Sequence, residues 1–146
     1  MSNQLSNADL LNALPDLESD QPLTGIVSGA TVHRDKWGIP HISADNEADL
    51  FFAQGFATAQ DRLFQMDYDR LRCLGRSSEH LGERGLTQDR LMRRRALKNV
   101  AKRDLEVCSP EAKAMITAYT AGVNAFIKSD APLPAEYKLT GTEPEP

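Results

Sequence analysis

Residues 56–67 read FATAQDRLFQMD. Phe56, Leu63 and Phe64 recur at the spacing of one helix face, and Gln60 and Asp67 fall on that same face. An amide and a carboxylate inside an apolar stripe have two uses: acid–base chemistry, or a polar tie between packed elements. Either use requires partners, because each group buried alone costs about 1–3 kcal/mol. Asp67 and Arg70 are three residues apart and can pair along the helix. No histidine or second carboxylate stands at a fixed helical spacing from Asp67, so the spacing favours a polar tie over a catalytic acid. Its further partners are expected from a hairpin or from another chain.

The other residue types that do chemistry form no complete site. His33, His41 and His80 are scattered, without an HxxxH or HExxH pair. His41 follows Pro40 in a β-prone run, which suits a hydrogen-bonded structural role. Ser28, Ser77 and Ser78 lack the GxSxG context of a nucleophile elbow. Cys73 and Cys108 are too few for a four-thiolate zinc site. They form one disulfide or, as their composition context favours, two free and mostly buried thiols. No metal ligand set is read from the chain. Arg93-Arg94-Arg95 with Lys98 and Lys102 is bracketed by Asp89, Asp104 and Glu106 and lacks stacking aromatics. With a net charge of −4, this is a solvated or inter-subunit helix face rather than a nucleic-acid surface. No apolar run is long enough for a membrane helix.

The elements that must position these residues follow from local signals. Hydrophobic residues make up 40% and charged residues 26%, ordinary for a globular chain of moderate core. Residues 1–24 read as an extension and linker, with a short helix at Asp9–Leu14 stopped by Pro15 and then the acidic DLESDQP. Residues 25–146 read as one domain of α+β class, mostly helical with one β-hairpin. TVHR and PHIS flank Asp35-Lys36-Trp37-Gly38, a tetrad suited to a type I turn followed by a glycine at positive φ. Asp45-Asn46 caps a helix that runs from about Glu47 to Leu74 and stops at Gly75, with Phe52, Phe56, Ala59, Leu63, Leu71 and Leu74 inward. Residues 87–106 read as one helix with Leu91, Leu97, Val100 and Leu105 inward. Ser109-Pro110-Glu111 opens another, whose stripe is Met115, Tyr119, Val123, Phe126 and Ile127. The terminal SDAPLPAEYKLTGTEPEP reads as irregular. The start, MSNQLSNADLL, has neither the basic nor the long apolar region of a secretory signal. A cytoplasmic chain is expected if Met1 is the native start, and a mature secreted chain otherwise.

Four stretches in order resemble the α chain of penicillin acylases: VHRDKWGIPHISA (32–44), DLFFAQGFATAQDRLFQMDYDRLRCLGRSSEHLG (49–82), SPEAKAMITAYTAGVNAFI (109–127) and LPAEYKLTGTEP (133–144). RDxxGxPHI (34–42) followed by AQDRLFQM (59–66) is the most specific part. The resemblance implies an N-terminal-nucleophile hydrolase: a precursor that cuts itself into α and β chains around an αββα sandwich. The β chain of the same precursor is then the partner, and its N-terminal Ser or Cys is the nucleophile. The substrate is a small N-acyl amide, whether a β-lactam, an N-acyl-homoserine lactone or another. The acyl-pocket residues and calcium-binding carboxylate of such α chains have no counterpart by Pro146. The chain itself is therefore expected to hold no cofactor, with a structural calcium left to the assembled enzyme. No catalytic residue carries over. Gln60, Asp67 and Arg70 are expected as ties in a core shared between the chains, and Arg34, Asp61 and Arg62 as the lock between hairpin and long helix. By the same resemblance the compartment is periplasmic. The competing expectation is a non-catalytic helical interaction module of the same descent.

Overall fold

A computed structural model describes residues 4–146. The chain is α+β: helices and one two-stranded antiparallel sheet. It gathers into two compact units, which are described separately. One contains the described residues up to Pro15, with Leu63–Cys108 and Pro132–Glu145; the other contains Asp16–Arg62 and Ser109–Ala131.

In the second unit the strands β1 (Ala30–Arg34) and β2 (Pro40–Ala44) pair with Val32 opposite Ile42 and His33 opposite His41. The turn is built as its residues dictate. The Gly38 N–H donates to the Asp35 carbonyl (2.9 Å), Gly38 sits at φ +77°, and Asp35 Oδ1 accepts from the N–H groups of Trp37 (2.8 Å) and Ile39 (3.0 Å).

The long helix α2 spans Glu47–Leu74. Asn46 caps it, its Oδ1 accepting from the Asp49 N–H at 2.8 Å. At the other end Gly75, at φ +69°, makes a Schellman closure: its N–H reaches the Arg72 carbonyl and the Arg76 N–H reaches Leu71 (2.8 Å). Inside α2, Arg62 leaves helical geometry at φ −142°, although no glycine or proline marks the place.

Helix α6 (Pro110–Ile127) starts with Ser109 Oγ accepting from the Ala112 N–H and with Pro110 in the first turn. It approaches the first half of α2 closely enough to touch backbone. A Cβ on Gly122 would lie 1.9 Å from the Phe52 carbonyl oxygen, and one on Gly55 would lie 2.0 Å from that of Tyr119. Phe56 and Phe126 meet edge-to-face there, centroids 5.5 Å apart. With Phe52, Ala53, Ala57 and Ala59 they are the core of this unit.

In the first unit several expectations are corrected. Helix α1 is Asn7–Asn12 rather than Asp9–Leu14, because Ser6 and Asp9 form a capping box that starts it earlier. A short helix α3 (Ser78–Leu81) and a 3₁₀ turn (Gly82–Gly85) precede α4 (Leu86–Arg95). The single helix expected over 87–106 is broken at Ala96, which takes the left-handed conformation (φ +52°) before α5 (Leu97–Val107). Alanine favours a continuous helix, so tertiary arrangement overrides propensity here. Leu91 and Leu105 are exposed, Leu97 and Val100 half-buried, and α5 has no buried residue. The terminal stretch is not irregular throughout: helix α7 (Ala135–Thr140) lies between Pro134 and a left-handed Gly141 and buries Tyr137. Cys73 and Cys108 are free, but Cys73 is exposed and Cys108 half-buried. In the second unit, Met115 of the α6 stripe is exposed as well.

The α2–α6 contact makes a direct prediction. Gly122→Ala forces backbone apart and is expected to destabilise the protein containing this chain by about 3 kcal/mol, read as a lowered urea midpoint. The exposed substitution Thr120→Ala on the same helix should stay within about 0.5 kcal/mol of the parent.

Candidate functional site

The polar groups are organised by carboxylates that each grip another segment. Asp49, in the first turn of α2, accepts from the N–H groups of Val27 (2.8 Å) and Ser28 (2.7 Å) and from Asn46 Nδ2 (2.8 Å). The Val27 amide, then that of Ser28, holds its carboxyl below the usual range despite burial. The approach to the hairpin is thereby tied to the positive end of the helix.

Arg34 leaves β1 for the same helix. Its guanidinium bridges both Asp61 oxygens (2.9 and 3.0 Å), the Gly38 carbonyl (3.0 Å) and Gln60 Oε1 (3.4 Å). The side chain is only 13% exposed, so this fork is largely desolvated. Arg62 has no part in it: it is exposed and marks the break in α2. His41 is exposed, with Nε2 3.4 Å from Asp35 Oδ2.

In the other unit Asp67 is 5% exposed and fully engaged within the chain. Oδ1 takes Nη2 (2.7 Å) and Nε (3.1 Å) of Arg70. Oδ2 takes the Tyr137 hydroxyl (3.3 Å) and lies 3.6 Å from His80 Nε2. Burial first, and then the Asp67 charge, pushes the Tyr137 phenol well above its ordinary value. The His80 side chain is buried; Phe64 and Tyr137 pack around its ring, and its Nδ1 shares a hydrogen bond with Thr142 Oγ1 (2.9 Å). His80 Nε2 has no hydrogen-bond partner. Glu145 closes the group from outside, bound by Arg76 (2.7 and 2.8 Å) and Arg70 (3.3 Å). Arg76 first, then Arg70, holds the Glu145 carboxyl down to about 2. Arg76 also forks onto Glu79.

A fourth carboxylate, Asp89 of α4, accepts from Ser77 N–H (2.8 Å), Ser77 Oγ and Ser78 N–H (2.8 Å), so it fastens the start of α3. Burial works to raise its pKa, but these donors prevail and bring it to about 2. Arg93 of the basic run is spent structurally: its Nε donates to the Gly75 carbonyl at 2.8 Å.

Asp67, Arg70, Gln60, Asp61 and Arg34 thus meet their partners inside this chain, where the sequence left the Asp67 and Gln60 partners to a hairpin or a second chain. His80, Tyr137, Thr142 and Glu145 were missed, because they lie 13 to 78 residues from Asp67 in sequence and only folding joins them to it, directly for His80 and Tyr137 and through His80 and Arg70 for the other two. A buried histidine beside a buried carboxylate resembles acid–base machinery. However, the His80 side chain is 1% exposed and aromatic rings flank it, so no substrate atom reaches it. Among the described residues no group of three or more His, Cys, Asp or Glu side chains is placed to hold a metal ion, and no helix is long and apolar enough to cross a membrane. The arrangement is built to tie segments together.

Comparison with known proteins places this scaffold. A family model described as Penicillin amidase matches residues 29–146. The chain is 49% identical over all 146 residues, 1–24 included, to the penicillin acylase 2 proenzyme of Pseudomonas sp. (strain SE83), and spans 19% of its length. It is 35% identical over 135 residues to the acyl-homoserine lactone acylase QuiP of Pseudomonas putida, covering 92% of this chain and 17% of that one. A solved thermostable penicillin G acylase from Alcaligenes faecalis matches with a TM-score of 0.72 at 31% identity, over 82% of this chain and 66% of that chain.

Two outcomes are expected of these ties. Asp67→Ala strands the Tyr137 hydroxyl and Arg70, and should cost about 3 kcal/mol in urea unfolding of the protein containing this chain, whereas Arg62→Ala should cost under about 0.5 kcal/mol. The Asp89 carboxyl is depressed in the fold, so its contribution is complete above its unfolded pKa of about 3.9 and is lost as pH falls toward 2. Asp89→Asn should therefore lower stability at neutral pH by on the order of 2 kcal/mol, and the loss should shrink between about pH 4 and pH 2. A mutant penalty that is flat across that window would contradict the assignment.

Proposed function

The chain belongs to the penicillin amidase family, and from that premise we propose that it is the α-chain portion of an amidohydrolase cleaving the amide between an acyl group and an amine. The observation that carries the reading is the family match over residues 29–146 in a chain that spans 19% of the length of its proenzyme relative. The remainder of such a precursor supplies the chemistry. An N-terminal Ser or Cys of a β chain attacks the acyl carbon, and its own α-amine, with an unperturbed pKa near 8, takes the proton. Donors of that β chain stabilise the oxyanion.

This chain's task is scaffolding. Within one unit Asp49 and Asp61 hold the hairpin and the segment before it to α2, and within the other Asp67 holds α7 to α2. Two features support a second polypeptide as its partner. A two-stranded hairpin is marginal by itself, and large apolar side chains stay uncovered, among them Val107 at 85% and Trp37 at 77% exposure. The substrate is a small N-acyl compound; the relatives' names offer penicillins and acyl-homoserine lactones as the two classes to try.

Intact mass and N-terminal sequencing of the purified protein that contains this chain test the proposal. Two chains are expected, the second beginning with Ser or Cys. The assembly should hydrolyse an N-acyl β-lactam or an N-acyl-homoserine lactone, and Ala at that first residue should abolish hydrolysis. A single uncut species without amidase activity on either class would overturn the reading in favour of an interaction module.

A further inference from the structure

The exposed face of the hairpin carries a histidine pair that the proposed hydrolase chemistry does not use. His33 on β1 and His41 on β2 are directly opposed in the register. Both side chains are exposed, that of His41 at 62%. Directly opposed residues on one face of an antiparallel pair hold their Cβ atoms about 4.5–5.5 Å apart. Two imidazoles at that spacing can converge on one ion at metal–nitrogen distances of about 2.0–2.1 Å.

The third group present is Asp35. Its Oδ1 is fixed by the Trp37 and Ile39 amides, and this presents Oδ2 to His41 Nε2 at 3.4 Å. With the proton on Nε2, His41 donates to that carboxylate and its Nδ1 lone pair is free. A ligating histidine whose other nitrogen donates to a carboxylate is the usual outer arrangement of a metal site. The turn thus organises the ligand orientation through backbone bonds that form whether or not an ion is bound.

We propose that the His33–His41 pair is a surface site for one late first-row divalent cation of the copper, nickel or zinc type. One ring nitrogen of each histidine binds, Asp35 orients His41, and water completes the coordination, since the described residues place no group of three or more candidate ligands together. Imidazole selects these ions over magnesium or calcium, and Cu²⁺ binds most tightly of the series. Protons compete for the same nitrogens, so affinity falls as the histidines charge.

The test uses the untagged full protein containing this chain, titrated with Cu²⁺ and followed by calorimetry and electron paramagnetic resonance. One Cu²⁺ per chain with two coupled imidazole nitrogens is expected at about pH 7.5, with binding weakened at least about ten-fold at pH 5.5. His33→Asn and His41→Asn should each weaken binding by about ten-fold or more, and Asp35→Asn by a few-fold. All three positions lie outside the buried core, and circular dichroism checks that each variant is folded. Unchanged affinity in either histidine variant, a one-imidazole spectrum, or no copper bound would each overturn the site. Because none of these readouts is amidase activity, failure here and failure of the proposed function are separable.

Discussion

A carboxylate taken out of water has to be met by donors, and this chain uses that requirement as its means of assembly. Buried Asp49 and Asp67 lie along α2 with the exposed Asp61 between them, and buried Asp89 lies on α4. Each one captures a segment that has little apolar surface of its own. Asp49 takes the loop amides of Val27 and Ser28, Asp61 the guanidinium of Arg34, Asp67 the hydroxyl of Tyr137, and Asp89 the start of α3. The loops, the hairpin and the six-residue α7 would each be marginal by burial alone. A charge-assisted bond is directional in a way that apolar contact is not. The ties therefore fix orientation, while apolar contacts such as Phe56 on Phe126 supply most of the cohesion.

What the sequence disclosed divides along the same line. Elements whose signals are local were legible. The hairpin turn lay in Asp35 and Gly38, the limits of α2 in Asn46 and Gly75, and the start of α6 in Ser109-Pro110. Elements decided by distant contact were not. Ala96 has no local reason to turn left-handed, nor Arg62 to leave the helix. Helix α7 was bracketed by Pro134 and Gly141, but six residues carry too little periodicity to compete with the proline-rich context. At the polar cluster, the Asp67–Arg70 pair was visible as a three-residue spacing. His80, Tyr137 and Thr142 were not, since no spacing rule relates residues 13 to 75 positions apart.

The faces left uncovered follow a pattern of their own. Helix α5 alternates apolar and charged residues as an amphipathic helix should, yet none of its residues is buried. Leu91 and Leu105, expected inward from their periodicity, are exposed, with no surface of the described residues covering them. Under the proposed function the surface that covers them belongs to the rest of the precursor. Single exposed leucines need no explanation, but Val107 at the end of α5 is 85% exposed. The polar groups show the opposite behaviour. Buried Asp49, Asp67, Ser77 and Asp89 all find their donors or acceptors inside the chain.

That contrast separates a scaffold from a catalyst more firmly than residue type does. Asp67 and His80, with Tyr137, would satisfy a search for acid–base residues by identity and distance. Catalytic groups need access to a reacting atom and a protonation state free to change. Here the carboxylate has already spent its lone pairs on Arg70 and Tyr137, and the imidazole is sealed between Phe64 and Tyr137 with a threonine on one nitrogen. A proton taken up or given away at this site would break a tie that holds α7 to α2. The cluster is organised to keep its charges where they are, which suits the scaffolding role proposed for the chain.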